Sequence, residues 1–103
     1  MATVNIVRTN VENIAVNGGS MPVANSLVKN TETITSSGIS QASTDVAVAP
    51  QTEFWIITVS GGPVWVHFAA APVAVVGTEW LILDGQTREF SCTAGDKVAV
   101  IDG

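Results

Sequence analysis

Residues 54 to 68 read FWIITVSGGPVWVHF, two β-favouring apolar runs on either side of Gly61-Gly62. A Gly pair between such runs is a strong signal for a tight reversal, because glycine takes positive φ without steric cost. Read as a two-residue hairpin, the stretch sets Ser60 opposite Pro63, Val59 opposite Val64, Ile57 opposite Val66 and Trp55 opposite Phe68. Side chains alternate between faces along a strand. One face then carries Trp55, Ile57, Val59, Val64, Val66 and Phe68, and is expected to be the core face. The other carries Phe54, Ile56, Thr58, Ser60, Trp65, His67 and Ala69. That second face is too apolar for plain solvent, and cover from the N-terminal half or from another copy is expected.

The chain has 103 residues, enough for one domain with a modest core. Apolar residues make up 47% and charged residues only 13%, about half the usual charged share. Low charge with many β-branched residues is not the disordered signature; it fits a β-protein that covers surface against neighbours. The net charge is −5, with no Lys/Arg cluster to neutralise phosphates, so direct nucleic-acid binding is not expected. The apolar stretches are too short to span a bilayer, and the N-terminus MATVNIVRTN lacks the pattern of a secretory signal. No membrane partner is expected. The single cysteine, Cys92, rules out an internal disulfide framework.

The two halves differ. Residues 1–50 hold no aromatic residue and are rich in Ser, Thr and Asn. They read as an extended, strand-forming arm, with Val4/Ile6, Ile14/Val16 and Ile34 on apolar sides of short strands and turns at Asn17-Gly18-Gly19-Ser20 and Ser36-Ser37-Gly38. Residues 51–103 hold all three Trp and all three Phe and read as the compact β-domain. Ala71-Pro72 breaks the ladder after the second strand. Trp80 to Leu83 is apolar on both faces and is expected to lie centrally. Arg88 to Thr93 and Lys97 to Ile101 follow, separated by Gly-bearing turns. Across Asp84-Gly85 two- and three-residue loops give different faces, and the register stays open. No window has the apolar period of a helix. The fold class is therefore all-β: a small β-sandwich or barrel, jelly-roll-like, in the C-terminal half, with the N-terminal arm against it.

Few residues suggest chemistry. His67 is the only histidine, without a second ligand at metal spacing. Cys92 follows Phe90 at strand spacing and reads as a small packed residue, not a nucleophile. Asp84, Asp96 and Asp102 each sit beside a glycine, which is ordinary turn chemistry; nothing resembles a calcium loop. The Gly-rich stretches open no helix and so build no phosphate cradle. Of Trp55, Trp65 and Trp80, the hairpin register leaves only Trp65 as a candidate for exposure, where subunit contact explains it better than a sugar platform. No enzyme, metal or cofactor is expected.

The order VWVHF, AAPVAV, WLILDG, REFSCTAGDKVAVIDG resembles a group of small tailed-bacteriophage virion proteins. Their pattern is a V-x-V-x-F strand, a Pro-Ala segment, a Gly turn, an E-F strand and a closing GDkvAVI strand. The matching positions are Val64, Trp65, Val66 and Phe68; Pro72 and Ala74; Leu83 and Gly85; Glu89 and Phe90; and Gly95, Asp96, Val98, Ala99, Val100 and Ile101. Ala69 stands where the pattern has a glycine, and the first half of the chain has no counterpart.

The resemblance implies a non-enzymatic virion structural protein, a capsid decoration or cement protein on the capsid surface, assembled in the host cytoplasm. The implied partners are the major capsid protein and copies of itself, a trimer favoured over a dimer. The contact residues expected are Val4, Ile6, Ile14, Val16, Ile34, Phe54, Ile56, Trp65 and His67. Alternatives are a head–tail connector or tail-fibre component, and a carbohydrate- or receptor-binding module.

Overall fold

A computed structural model describes residues 1–16, 19–48 and 53–103; for residues 11–16 and 19–27 it describes the backbone alone. Among these residues the strands are β1 (Thr3–Val16), β2 (Gly19–Thr35), β3 (Gln41–Ala42), β4 (Glu53–Ser60), β5 (Val64–Ala69), β6 (Trp80–Ile82), β7 (Thr87–Ser91) and β8 (Lys97–Asp102). No helix occurs among the described residues. The strands form two four-stranded antiparallel sheets, ordered β2-β1-β4-β7 and β3-β8-β5-β6.

Gly61-Gly62 is not the loop of a hairpin. β4 pairs with β1 and β7, while β5 pairs with β6 and β8, so the turn carries the chain from one sheet to the other. Gly61 and Gly62 have φ of 102° and 152°, which suits glycine alone. The expected core face nevertheless holds. Trp55, Ile57, Val59, Val64 and Val66 are fully buried, and Phe68 packs against them. A hairpin would put both apolar runs in one layer and leave their common face uncovered. Placed in opposing layers, each run covers the other, and each buried Val or Ile contributes about 1.5–3 kcal/mol. Val98 and Val100 of β8 and Ile82 of β6 complete the inner face of the second sheet.

Leu83 to Gln86 makes a second crossing between sheets. Gln86 N–H donates to the Leu83 carbonyl at 3.0 Å, and Gly85 has φ 78°. Asp84 Oδ1 accepts from Gly61 N–H at 2.8 Å, tying the two crossings together. The register across Asp84-Gly85 was open because the flanking strands do not pair. Trp80 to Ile82 does not lie centrally: it is the short edge strand of its sheet, and Trp80 and Leu83 are 46% and 54% exposed.

Residues 3–10 and 28–48 enter the sandwich itself. Between Thr3 and Asn10, β1 pairs along β4, and β2 pairs along β1. The N-terminal half therefore extends the sheet beside β4 through backbone bonds instead of lying across its outer face. Val4, Ile6 and Ile34 are buried in the core, together with Ala2 and Ala47. Beyond Asn10, β1 has only β2 as a partner among the described residues, and a two-stranded ribbon runs from Val11↔Ala24 to Val16↔Gly19.

The strand order is that of a jelly roll with one displacement. From β2 to β8 the strands take, in order, the places of a jelly roll's first seven. β1 fills the slot of the eighth, between β2 and β4. Consistent with this, the two ends of the chain meet: the Met1 ammonium lies 3.2 Å from Asp102 Oδ2, and Ser36 Oγ donates to Asp102 Oδ1. A circular permutant that joins Gly103 to Met1 through a short linker and opens the β1–β2 connection is expected to fold to the same sandwich. The check is its far-UV circular dichroism and cooperative unfolding against the parent chain.

Candidate functional site

One end of the sandwich is closed by a buried charge network. Glu53 begins β4 and has no solvent exposure. Arg8 lies beside it on the inward side of β1. Its Nη1 donates to Glu53 Oε2 at 2.6 Å, its Nε to Asp45 Oδ2 at 2.8 Å and its Nη2 to Asp45 Oδ1 at 3.0 Å. Lys29 Nζ reaches the same Glu53 oxygen at 2.7 Å. It can do so because β2 shifts register at this point: Arg8 pairs with Asn30 and Thr9 with Val28, so Lys29 is the extra residue of a bulge. Val48 N–H donates to Glu53 Oε1 at 2.9 Å. Glu32 Oε1 and Oε2 accept from the backbone N–H of Thr44, and Oε1 from that of Asp45. Asp45 first, and then Glu53, holds the Arg8 guanidinium above its ordinary value against the opposing effect of burial. The arrangement fastens the segment 43–48 over the open end of the core.

Removing one member of a buried pair leaves the others uncompensated, at about 3–5 kcal/mol. Arg8→Met is expected to lower unfolding stability by that order, while Arg8→Met with Glu53→Gln recovers part of it. Urea denaturation followed by tryptophan fluorescence measures both.

Cys92 lies next to this network, with its backbone N–H on the Glu53 carbonyl at 3.2 Å. Burial, reinforced by the charge of Glu53, pushes its thiol up to about 12. The thiolate is the reactive form, so the folded protein is expected to resist a thiol-specific reagent at pH 8 and to react fully once unfolded in denaturant. Rapid labelling of the native chain would contradict the burial.

The second region is a strap, residues 70–79, on the outer side of the sheet containing β5. Its Pro72 and Ala74 are buried, and Ala74 N–H donates to Ser40 Oγ at 2.8 Å. Val73, Val75 and Val76 point the other way and are 52–64% exposed. The strap ends in a turn in which Thr78 N–H and Oγ1 both donate to the Val75 carbonyl. Glu79 follows with φ 64°, the one non-glycine residue at positive φ among those described. Its Oε1 lies 3.0 Å from His67 Nδ1. His67 thus anchors the strap from β5.

The third region is the seam between edge strands β6 and β7. Phe68, Phe90 and Trp80 stack in series, with ring centroids 4.9 and 5.5 Å apart. The Arg88 guanidinium lies 5.6 Å from the Trp80 ring centre.

The expected contact residues fall into three groups. Val4, Ile6 and Ile34 are core residues and present nothing to a partner; their spacing matched an inward strand face as well as a contact face. Phe54 and Ile56 lie half-buried on the outer face of the β4 sheet, and Trp65 and His67 on that of the β5 sheet. Ile14 and Val16 lie in the ribbon, opposite Met21 and Gly19, and their side chains fall outside the described residues. The most exposed tryptophan is Trp80, not Trp65. The strap was legible only as a Pro break, although the alternation of Pro72/Ala74 with Val73/Val75 carries the signal. Asp84 and Asp102 accept hydrogen bonds from Gly61 and Ser36, and Asp96 turns the chain beside Ala47. No cleft opens among the described residues, and no three acidic, His or Cys side chains gather as a metal set there. No described helix is long and apolar enough to cross a membrane. Comparisons with protein-family models, with characterised proteins and with solved structures yield no match.

Proposed function

We propose that this chain is a non-enzymatic virion structural protein, a capsid decoration protein that binds the major capsid lattice of a tailed bacteriophage and stabilises it. The observation that carries the reading is the strap. It holds Val73, Val75 and Val76 out to solvent on a rigid base made by Pro72, Ala74 and the His67–Glu79 contact. A row of outward valines, held beside Ser40, is apolar surface that a partner would cover. The resemblance of residues 64–101 to phage virion proteins supports a partner in the virion, and the capsid lattice is the partner proposed. The jelly-roll strand order is shared by capsid proteins and lectins, and by itself selects neither. The mechanism is mass action: a protein that binds only the assembled lattice raises the free energy of opening it.

The test is the copy number of the chain in purified particles, by quantitative mass spectrometry against the major capsid protein. Hundreds of copies in fixed proportion to the shell are expected, and Val73→Asp with Val75→Asp is expected to lower that occupancy at least tenfold with the fold unchanged. A few to a few dozen copies would place the chain at a connector, tail or fibre. Absence from particles would overturn the reading. It would favour the carbohydrate-binding alternative, which half-exposed Trp80 under Arg88 supports and a glycan array would check.

A further inference from the structure

Strand β2 is an edge of its sheet, and its outer edge is open among the described residues. The direction of its free backbone groups follows from the ladder. Ser36 N–H donates to the Ala2 carbonyl and Ala2 N–H to Ser36 Oγ, so these two residues face each other through their polar groups. In an antiparallel pair, residues alternate between bonding to the neighbour and pointing away. The register Val4↔Ile34, Ile6↔Glu32 and Arg8↔Asn30 then bonds Ile34, Glu32 and Asn30 to β1. Thr31, Thr33 and Thr35 direct their N–H and C=O groups to the open edge. An independent check comes from β4. Glu53 and Val59 bond to the β7 side, leaving Ile56, Thr58 and Ser60 for Val7, Asn5 and Thr3, the residues of β1 that point away from β2.

Open edges are usually blunted by Lys, Pro, shortness or a bulge. Between Asn30 and Thr35 none of these is present. The one charge, Glu32, turns inward and is tied to Thr44 and Asp45. The three outward-bonding residues are all threonine, with exposed side chains.

We infer that this edge is an interface with a second copy of the chain, formed by antiparallel pairing of β2 with β2 about a two-fold axis at Thr33. The choice of a second copy rests on self-complementarity. The axis sets Thr33 against its own counterpart, Thr31 against Thr35 and Glu32 against Ile34, so the outward backbone groups of all three threonines find partners and no like charges meet. Threonine pairs across strands are favourable. The product is a continuous eight-stranded sheet, and the oligomer is built on a dimer instead of the expected trimer. The inference goes beyond the virion assignment and is tested without particles.

The experiment uses the purified full-length chain. Sedimentation equilibrium is expected to give twice the 10.7 kDa of one chain at micromolar concentration. Thr33→Cys is expected to cross-link under mild oxidation, since partners in a hydrogen-bonded pair have Cα atoms about 5.5 Å apart, within disulfide reach. Thr35→Cys, set against Thr31, is expected to cross-link at least tenfold more slowly; buried Cys92 contributes no background. Thr33→Pro removes an outward N–H but no backbone bond to β1, losing there only the exposed hydroxyl contact with Asn5 Oδ1, and is expected to give a folded monomer. A second variant, Thr31→Lys with Thr35→Lys, sets like charges across the joint and is expected to do the same. A parent chain that stays monomeric at 100 µM would overturn the inference, and would leave the edge to a strand from another protein. So would equal cross-linking at positions 33 and 35, or a folded Thr31→Lys/Thr35→Lys variant that remains a dimer.

Discussion

The carboxylate of Glu53 is the point on which one end of the molecule depends. It is wholly buried at the start of a central strand, where a lone charge is not tolerated. Its partners come from separate parts of the chain: Arg8 on β1, Lys29 at the bulge of β2 and Val48 in the segment before β4. Arg8 in turn holds Asp45, and Glu32 holds the backbone beside it. The network can be complete only when the two N-terminal strands, the 43–48 segment and β4 are all in place. A thin two-layer sandwich has open ends that apolar side chains alone cover poorly. Here a cluster of paired charges closes one end, and the Ser36–Asp102–Met1 contacts draw the chain's two ends together.

Much of the inside and outside of the sandwich was legible in the sequence, and the pairing was not, for one physical reason. Odd residues of β4 and even residues of β5 turn to the core whether the Gly61-Gly62 turn closes a hairpin or bridges two layers. Alternation therefore identifies Trp55, Ile57, Val59, Val64 and Val66 as core and stays silent on which strand each faces. The same ambiguity assigned Val4, Ile6 and Ile34 to a contact face, since a strand face that meets a partner and one that meets its own core carry one pattern. Long-range electrostatics leaves still less trace. Arg8, Asp45 and Glu53 are scattered among polar residues, and only their shared burial reveals that they belong together.

Trp80 shows a further limit. An apolar run of four residues reads as a buried central strand, yet β6 has three residues and lies at an edge. Its bulk is accommodated laterally, by Phe90 and Phe68 from the strands it meets at the seam and by the guanidinium of Arg88. Apolar on both faces therefore meant a strand at a corner of the sandwich, covered from the inside and from the side.

The position of β1 links these features. In an ordinary jelly roll the slot between the first and third strands is filled by the end of the chain. Here the beginning fills it, which frees the connection from β1 to β2 from any duty inside the sandwich. That connection can lengthen without disturbing the core, and it does: both strands run on past the end of β4 as a ribbon. A two-stranded ribbon is marginal on its own, so this one depends on the sheet that holds its base, at the place where Arg8, Lys29 and Glu53 meet. The charge network is thus the joint between the sandwich and its projection. Its bulge at Lys29 also marks one limit of the regular β2 edge, which runs from Asn30 to Thr35. A single substitution at Glu53 would consequently loosen three things together: the cap of the core, the base of the ribbon and the start of that edge.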